Sequence, residues 1–102
     1  MLNIPLQAIP NQAMTLNLDS NVWKITIVEA RGVMAVSFVR NDILIEQGIR
    51  AESGYELIPY QYLEDGNFIF VTSNDEYPYY TEFGITQSLV YASASELELI
   101  RA

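Results

Sequence analysis

Hydrophobic and polar residues alternate with a period of two along most of the first half of the chain, in short blocks cut by turn-forming residues. That period puts every second side chain on one face of an extended segment, which is the pattern of a strand with one buried face. Met14, Leu16 and Leu18 alternate with Thr15, Asn17 and Asp19. After the turn cluster Asp19-Ser20-Asn21, the apolar positions are Trp23, Ile25 and Ile27, with Lys24 and Thr26 between them. Arg31-Gly32 makes the next turn, and Met34, Val36 and Phe38 then line one face against Ala35 and Ser37. Asn41-Asp42 tolerates the positive φ of a tight hairpin turn, and Ile43, Ile45 and Ile49 close a four-stranded antiparallel meander over residues 13–50.

The texture changes over residues 51–92, where Glu52-Ser53-Gly54, Leu63 to Gly66 and Ser73 to Pro78 are loop-like and leave only short strands between them. Gly66 to Thr72 is the clearest of these, with Phe68 and Phe70 on the inward side, and Leu89-Val90-Tyr91 supplies the last. Ser93-Ala94-Ser95-Glu96 matches a capping box, predicting a short helix from Ala94 to Arg101 whose Leu97 and Ile100 dock on the sheet edge, with Arg101 at the negative end of its dipole. Residues 1–12 contain Ile4-Pro5-Leu6-Gln7-Ala8-Ile9-Pro10, whose prolines exclude a helix and a central strand. Two readings fit: an edge strand on the chain's own sheet, or an arm that adds to a neighbouring subunit. The fold class is therefore all-β, one domain forming a small antiparallel barrel or sandwich of about six to seven strands, with residues 93–102 as a capped helix.

Composition narrows the chemistry. At 102 residues and 11.6 kDa, with half the residues hydrophobic and 18% charged, the chain can bury a core of its own. Its net charge of −8, from five Lys/Arg against thirteen Asp/Glu, makes it a poor match for the phosphates of nucleic acid or an anionic membrane. It has neither cysteine nor histidine, so disulfides, thiolate nucleophiles, Ser-His-Asp triads and the usual zinc sites are unavailable within one chain. No cofactor or metal site is expected. Met1 to Pro10 lacks a basic flank and is broken by two prolines, so it does not read as a signal peptide, and no apolar run reaches the ~20 residues of a membrane helix. A soluble protein made in the cytoplasm is the expectation.

Tyrosines dominate the second half. Tyr60, Tyr62, Tyr77, Tyr79, Tyr80 and Phe83 gather around two loops, with Tyr55 nearby. Such rings either wall a thin core or, with an apolar body and a polar tip, face a partner. Glu64-Asp65 and Asp75-Glu76 fit no calcium-loop spacing and read as solvated charge, and Arg31, Arg40 and Arg50 are scattered at turns and strand ends. Trp23 could stack on a sugar, but its strand position favours the core.

Several segments also carry a resemblance. They are Ile4-Pro5-Leu6-Gln7-Ala8-Ile9-Pro10-Asn11-Gln12, Leu57-Ile58-Pro59-Tyr60-Gln61-Tyr62-Leu63, Gly66-Asn67-Phe68-Ile69-Phe70-Val71, Asp75-Glu76-Tyr77-Pro78-Tyr79-Tyr80 and Phe83-Gly84, followed by Leu89-Val90-Tyr91 and the acidic capped helix. In this order, end to end, the chain resembles the phage baseplate plug proteins. The resemblance implies a structural virion component of a contractile tail baseplate, assembled with other baseplate and tail-tube proteins near the end of the tube; a ring of its own copies is compatible with that role. It implies no catalytic residues. The candidate partner-binding residues are then Tyr60, Tyr62, Tyr77, Tyr79, Tyr80, Phe83, Ile4 and Leu6. The alternative is a small carbohydrate-binding module using exposed tyrosines, and a carboxylate-only glycosidase ranks third.

Overall fold

The computed structural model describes residues 1–59 and 65–101, and its architecture follows from where the chain can turn. After a three-residue strand β1 (Leu2–Ile4), the chain runs through β2 (Gln12–Leu18), β3 (Asn21–Ala30), β4 (Val33–Arg40) and β5 (Ile43–Arg50). The loops Asp19-Ser20, Arg31-Gly32 and Asn41-Asp42 each hold two residues, and all six have positive φ, from 50° to 86°. This is the mirror-image turn whose twist matches the strands it joins, so each hairpin closes without splaying. The meander forms a four-stranded sheet in the order β2-β3-β4-β5.

The second half supplies β6 (Asn67–Val71), β7 (Ser88–Ala92) and α1 (Ala94–Arg101). A three-stranded sheet, β1-β7-β6, pairs Leu2 with Tyr91 and Ile4 with Leu89, so the N-terminal segment lies on the chain's own sheet as its edge strand. Seven strands thus make two antiparallel sheets packed face to face, an open sandwich with no closed barrel among the described residues.

The core is the meeting of the two inward rows. Trp23, Ile25, Ile27, Met34, Val36 and Phe38 come from the four-stranded sheet, and Phe68, Phe70, Leu89 and Tyr91 from the other; all are buried. Trp23 stands edge-on to Phe38 (6.2 Å, 87°) and to Phe68 (5.0 Å, 79°), and Phe38 stacks on Phe68 (4.9 Å, 20°). Such pairs add ~0.5–1.5 kcal/mol each beyond their area. Trp23 Nε1 has no hydrogen-bond partner among the described residues. An orphaned buried donor costs ~1–3 kcal/mol, less than the ~4–6 kcal/mol that burying an indole contributes, so packing wins.

Several expectations are corrected here. Ile4 (2% exposed) and Phe83 (2%), expected among the partner-binding residues, belong to the chain's own core, Ile4 because β1 turns that side chain inward and Phe83 because it stacks on Phe70 at 5.7 Å. Leu97 docks as expected, but Ile100 is 52% exposed: a two-turn helix that reaches the core through Leu97 carries Ile100 one turn further on.

Polar side chains complete what the short strands leave open. The buried Asn67 side chain accepts a hydrogen bond from the Ile58 N–H (2.9 Å) and donates to the Ile58 carbonyl (3.0 Å), standing in for a strand neighbour. Next to it, Gly66 has φ +87°, and a Cβ there would lie 2.2 Å from the Tyr91 hydroxyl oxygen. That hydroxyl donates to Asp19 Oδ2 at 2.7 Å, tying the two sheets together at one end. Burial first, and then the Asp19 carboxylate, push the Tyr91 hydroxyl above the usual phenol range. The capping box forms as read: the Glu96 N–H donates to Ser93 Oγ (3.3 Å) and the Ser93 N–H to Glu96 Oε1 (3.1 Å). The Met1 ammonium donates to Glu96 Oε2, and this contact chiefly holds the Glu96 carboxyl at about 2, below its ordinary 4.5.

Two outcomes are expected. Gly54→Ala, at φ +79° with open space around it, should cost only the ~1–2 kcal/mol of a left-handed backbone, whereas Gly66→Ala should lose about 3 kcal/mol or more by displacing Tyr91; urea denaturation of both variants checks the order. A lowered carboxyl pKa stabilises the fold above the unfolded value and the gain is lost as pH falls through the folded one. The stability difference between wild type and Glu96→Gln should therefore shrink between pH 4.5 and about 2 in acid denaturation series.

Candidate assembly surface

The tyrosine-rich stretch between β6 and β7 has little regular structure, a 3-10 turn at Ser73–Asp75 and another at Tyr80–Glu82, and is positioned largely by one buried amide. Gln87, 3% exposed, accepts a hydrogen bond from the Tyr79 N–H at 2.8 Å and donates to the Tyr77 carbonyl at 3.3 Å. A side chain with both a donor and an acceptor can satisfy the backbone on either side of Pro78, which itself is buried. The loop therefore has a defined path without a strand partner.

Along that path the three tyrosines have different surroundings. Tyr79 and Tyr80 pack on each other (centroids 4.8 Å apart) and, half-buried, against the core. The Tyr79 hydroxyl donates to Glu29 Oε2 at 3.3 Å; partial burial first, then that carboxylate, push its pKa up. Tyr77 points outward, 60% exposed, with the Arg50 guanidinium 4.2 Å above its ring. A cation over an exposed ring is worth ~0.5–1 kcal/mol, enough to bias where the ring lies without hiding it.

Tyr55, 65% exposed, completes the surface. Its segment is fixed to β6 by the Gly54 N–H donating to the Phe70 carbonyl (2.9 Å), and Thr72 Oγ1 donates to Ser53 Oγ (2.7 Å). The result is an open cleft of about 590 Å3 lined by Glu52, Ser53, Gly54, Tyr55, Asp75 and Tyr77. Two accessible rings among carboxylates and hydroxyls suit a protein surface, where tyrosine supplies area at low entropic cost. Among the described residues no group of three or more His, Cys, Asp or Glu is placed to hold a metal ion.

A family model described as cyanophage baseplate Pam3 plug gp18 matches residues 1–94 of the 102-residue chain. The chain belongs to this baseplate plug family. No curated protein matches it. A baseplate plug is a structural part of a phage tail, so this chain is a structural baseplate component, and nothing in the fold or the comparisons favours the carbohydrate-binding alternative. No helix among the described residues is long and apolar enough to cross a membrane.

Within this baseplate plug, the residues expected to bind partners divide three ways. Tyr77 is on the open surface, Tyr79, Tyr80 and Leu6 are half-buried against the core, and Ile4 and Phe83 are inside it; Tyr60 and Tyr62 lie outside the described residues. The structure adds Tyr55 to Tyr77, a pairing that sequence neighbourhood hides because a strand separates them. Its signal was an aromatic residue directly after a Ser-Gly turn, where no core position is due. This division predicts a contrast in thermal denaturation: Tyr79→Ala should lose about 2–3 kcal/mol of stability, and Tyr77→Ala less than about 1 kcal/mol.

Proposed function

We propose that the chain is an assembly element of a contractile tail baseplate that works by contact alone, without catalysis. Synthesised in the host cytoplasm, it is built into the tail near the end of the tube, where the Tyr55–Tyr77 surface meets another baseplate or tail-tube protein. The observation that carries this reading is an exposed aromatic pair on two loops, each tied by hydrogen bonds to the fold, in a member of a structural baseplate family. Exposed rings on a pre-ordered surface lose little freedom on docking, which is the arrangement that makes aromatic residues strong contact points. The chain's excess of negative charge argues against nucleic acid and anionic membrane as partners. Several copies around the tail axis would meet through heterologous contacts that close into a ring.

Quantitative mass spectrometry of particles purified from the producing lysate tests the reading. A fixed, low number of copies per tail is expected. The folded double variant Tyr55→Ala/Tyr77→Ala should enter particles far less well, since losing an anchoring ring weakens an interface by ~2 kcal/mol, about thirtyfold. Absence of the wild-type chain from complete particles would sink the structural role, and normal incorporation of the double variant would move the contact elsewhere.

A further inference from the structure

The sandwich has four sheet edges, and three of them are blunted. The β5 edge is broken by two register irregularities against β4 and carries Gly48 and Glu46. At β6, Ser53 and Glu56 bridge to Phe70 and Ile69, covering the edge with the chain's own backbone. The β1 edge is three residues long and ends at Pro5. Charge, proline, bulges, shortness and coverage are the devices by which soluble proteins prevent a strand from pairing with a stranger.

Among the described residues, β2 has none of them. Its seven residues, Gln12 to Leu18, contain no charge and no proline and pair with β3 in unbroken register. The two-residue turn makes Leu18 and Asn21 a hydrogen-bonded pair, and bonded and non-bonded pairs then alternate along the hairpin. Val22 confirms the phase: its N–H donates to Asn41 Oδ1 and its carbonyl accepts from the Asn41 N–H, both at 2.8 Å, so nothing is left for Asn17 opposite. Ala13, Thr15 and Asn17 therefore turn their backbone N–H and C=O groups outward, where no described residue meets them. The inward residues say the same. Met14 and Leu16 are only half-buried, whereas Trp23, Ile25 and Ile27 in the next strand are fully buried, so the flank of the core beside β2 is open.

We infer that the β2 edge is a docking site for an extended segment of another chain, added antiparallel or parallel as a fifth strand and carrying a basic residue at the end that meets Asp19. This rests on the assembly reading above. Asp19 closes the edge at a cleft of about 390 Å3 that Asn17 and Leu18 also line; its carboxylate accepts from the Tyr91 hydroxyl and has no ion pair among the described residues, the Met1 ammonium in the same cleft being paired with Glu96. Against a chain of net charge −8, a basic segment is also drawn in at long range, which disfavours a second copy as the occupant. Main-chain bonds supply the affinity, and alternate side chains of the added strand cover Met14 and Leu16.

Hydrogen exchange and one edge variant test it. In the free chain the amides of Ala13, Thr15 and Asn17 should exchange rapidly while those of Met14 and Leu16 are protected, and in purified particles all five should be protected. Thr15→Pro removes an outward N–H and leaves the ladder to β3 intact, so the variant should fold but enter particles about tenfold less well. Asp19→Asn should lower incorporation and flatten its dependence on salt. If the wild-type chain is in particles while those three amides stay open and Thr15→Pro incorporates normally, the edge inference fails and the assembly reading survives. Absence of the wild-type chain from particles overturns both. A free wild-type dimer that Thr15→Pro dissolves would overturn the inference in favour of a second copy.

Discussion

Four aromatic rings, two from each sheet, fix how the halves of this chain face one another. Trp23 and Phe38 come from adjacent strands of the meander, Phe68 and Tyr91 from adjacent strands of the smaller sheet, and Phe68 touches all three of the others. Because edge-on and offset-stacked pairs are preferred over face-to-face ones and add ~0.5–1.5 kcal/mol each, four interlocked rings favour one spacing and angle between the sheets as well as filling space. The Tyr91 hydroxyl extends that constraint to the sandwich rim by holding Asp19 in the first hairpin turn, and Gly66 is small because the ring needs its place. That Trp23 Nε1 has no partner among the described residues fits the same logic: the indole is kept for its shape.

On that frame the two halves solve the backbone problem differently. The meander satisfies itself through three tight hairpins, each a ladder closed by two left-handed residues. The second half has strands too short for this and uses buried amides in place of neighbours: Asn67 pairs Ile58 to β6, and Gln87 pairs the Tyr77 to Tyr79 stretch to the end of β7. An Asn or Gln carries one acceptor and two donors, so a single side chain can do locally what a strand does along its length. This is why an irregular loop can present Tyr77 at a fixed place, with Arg50 of the other sheet over its ring.

The same difference explains what was legible in the sequence. Every turn of the meander could be read, because Asp19-Ser20, Arg31-Gly32 and Asn41-Asp42 announce left-handed backbone and the alternation between them has one period. Phe68 and Phe70 were equally plain, and so was the capping box at Ser93 and Glu96. The direction of rings in the tyrosine loop was not, since with no period nothing local distinguishes Tyr77, which faces out, from Tyr79, which leans on Glu29, or from Phe83, which is core. Ile4 misled for a related reason: the prolines around it announce an edge, but which chain's edge is a tertiary matter. Asn67 and Gln87 gave no sequence signal as buried groups, because a polar side chain is read as exposed until its partner is known.

On the assembly reading proposed above, the protein has to be unfinished somewhere, and the incompleteness among the described residues is local. The core is closed by the aromatic cluster, three of the four sheet edges are blunted, and the tyrosine loop is held by Gln87. Among the described residues, open surface includes one regular edge with half-buried Met14 and Leu16 behind it, the cleft at its Asp19 end, and a cleft with two tyrosines at its rim. The edge is paired to β3 in unbroken register and the tyrosine cleft's loops are hydrogen-bonded to β6 and Gln87, so on the proposed reading little conformational freedom would be lost when they are covered. A looser loop or a frayed edge would expose as much surface and bind less well. If this member of a baseplate family assembles through those surfaces as proposed, stiffness beside them matters as much as the surfaces, and the buried amides and aromatic rings that supply it would serve binding without touching a partner.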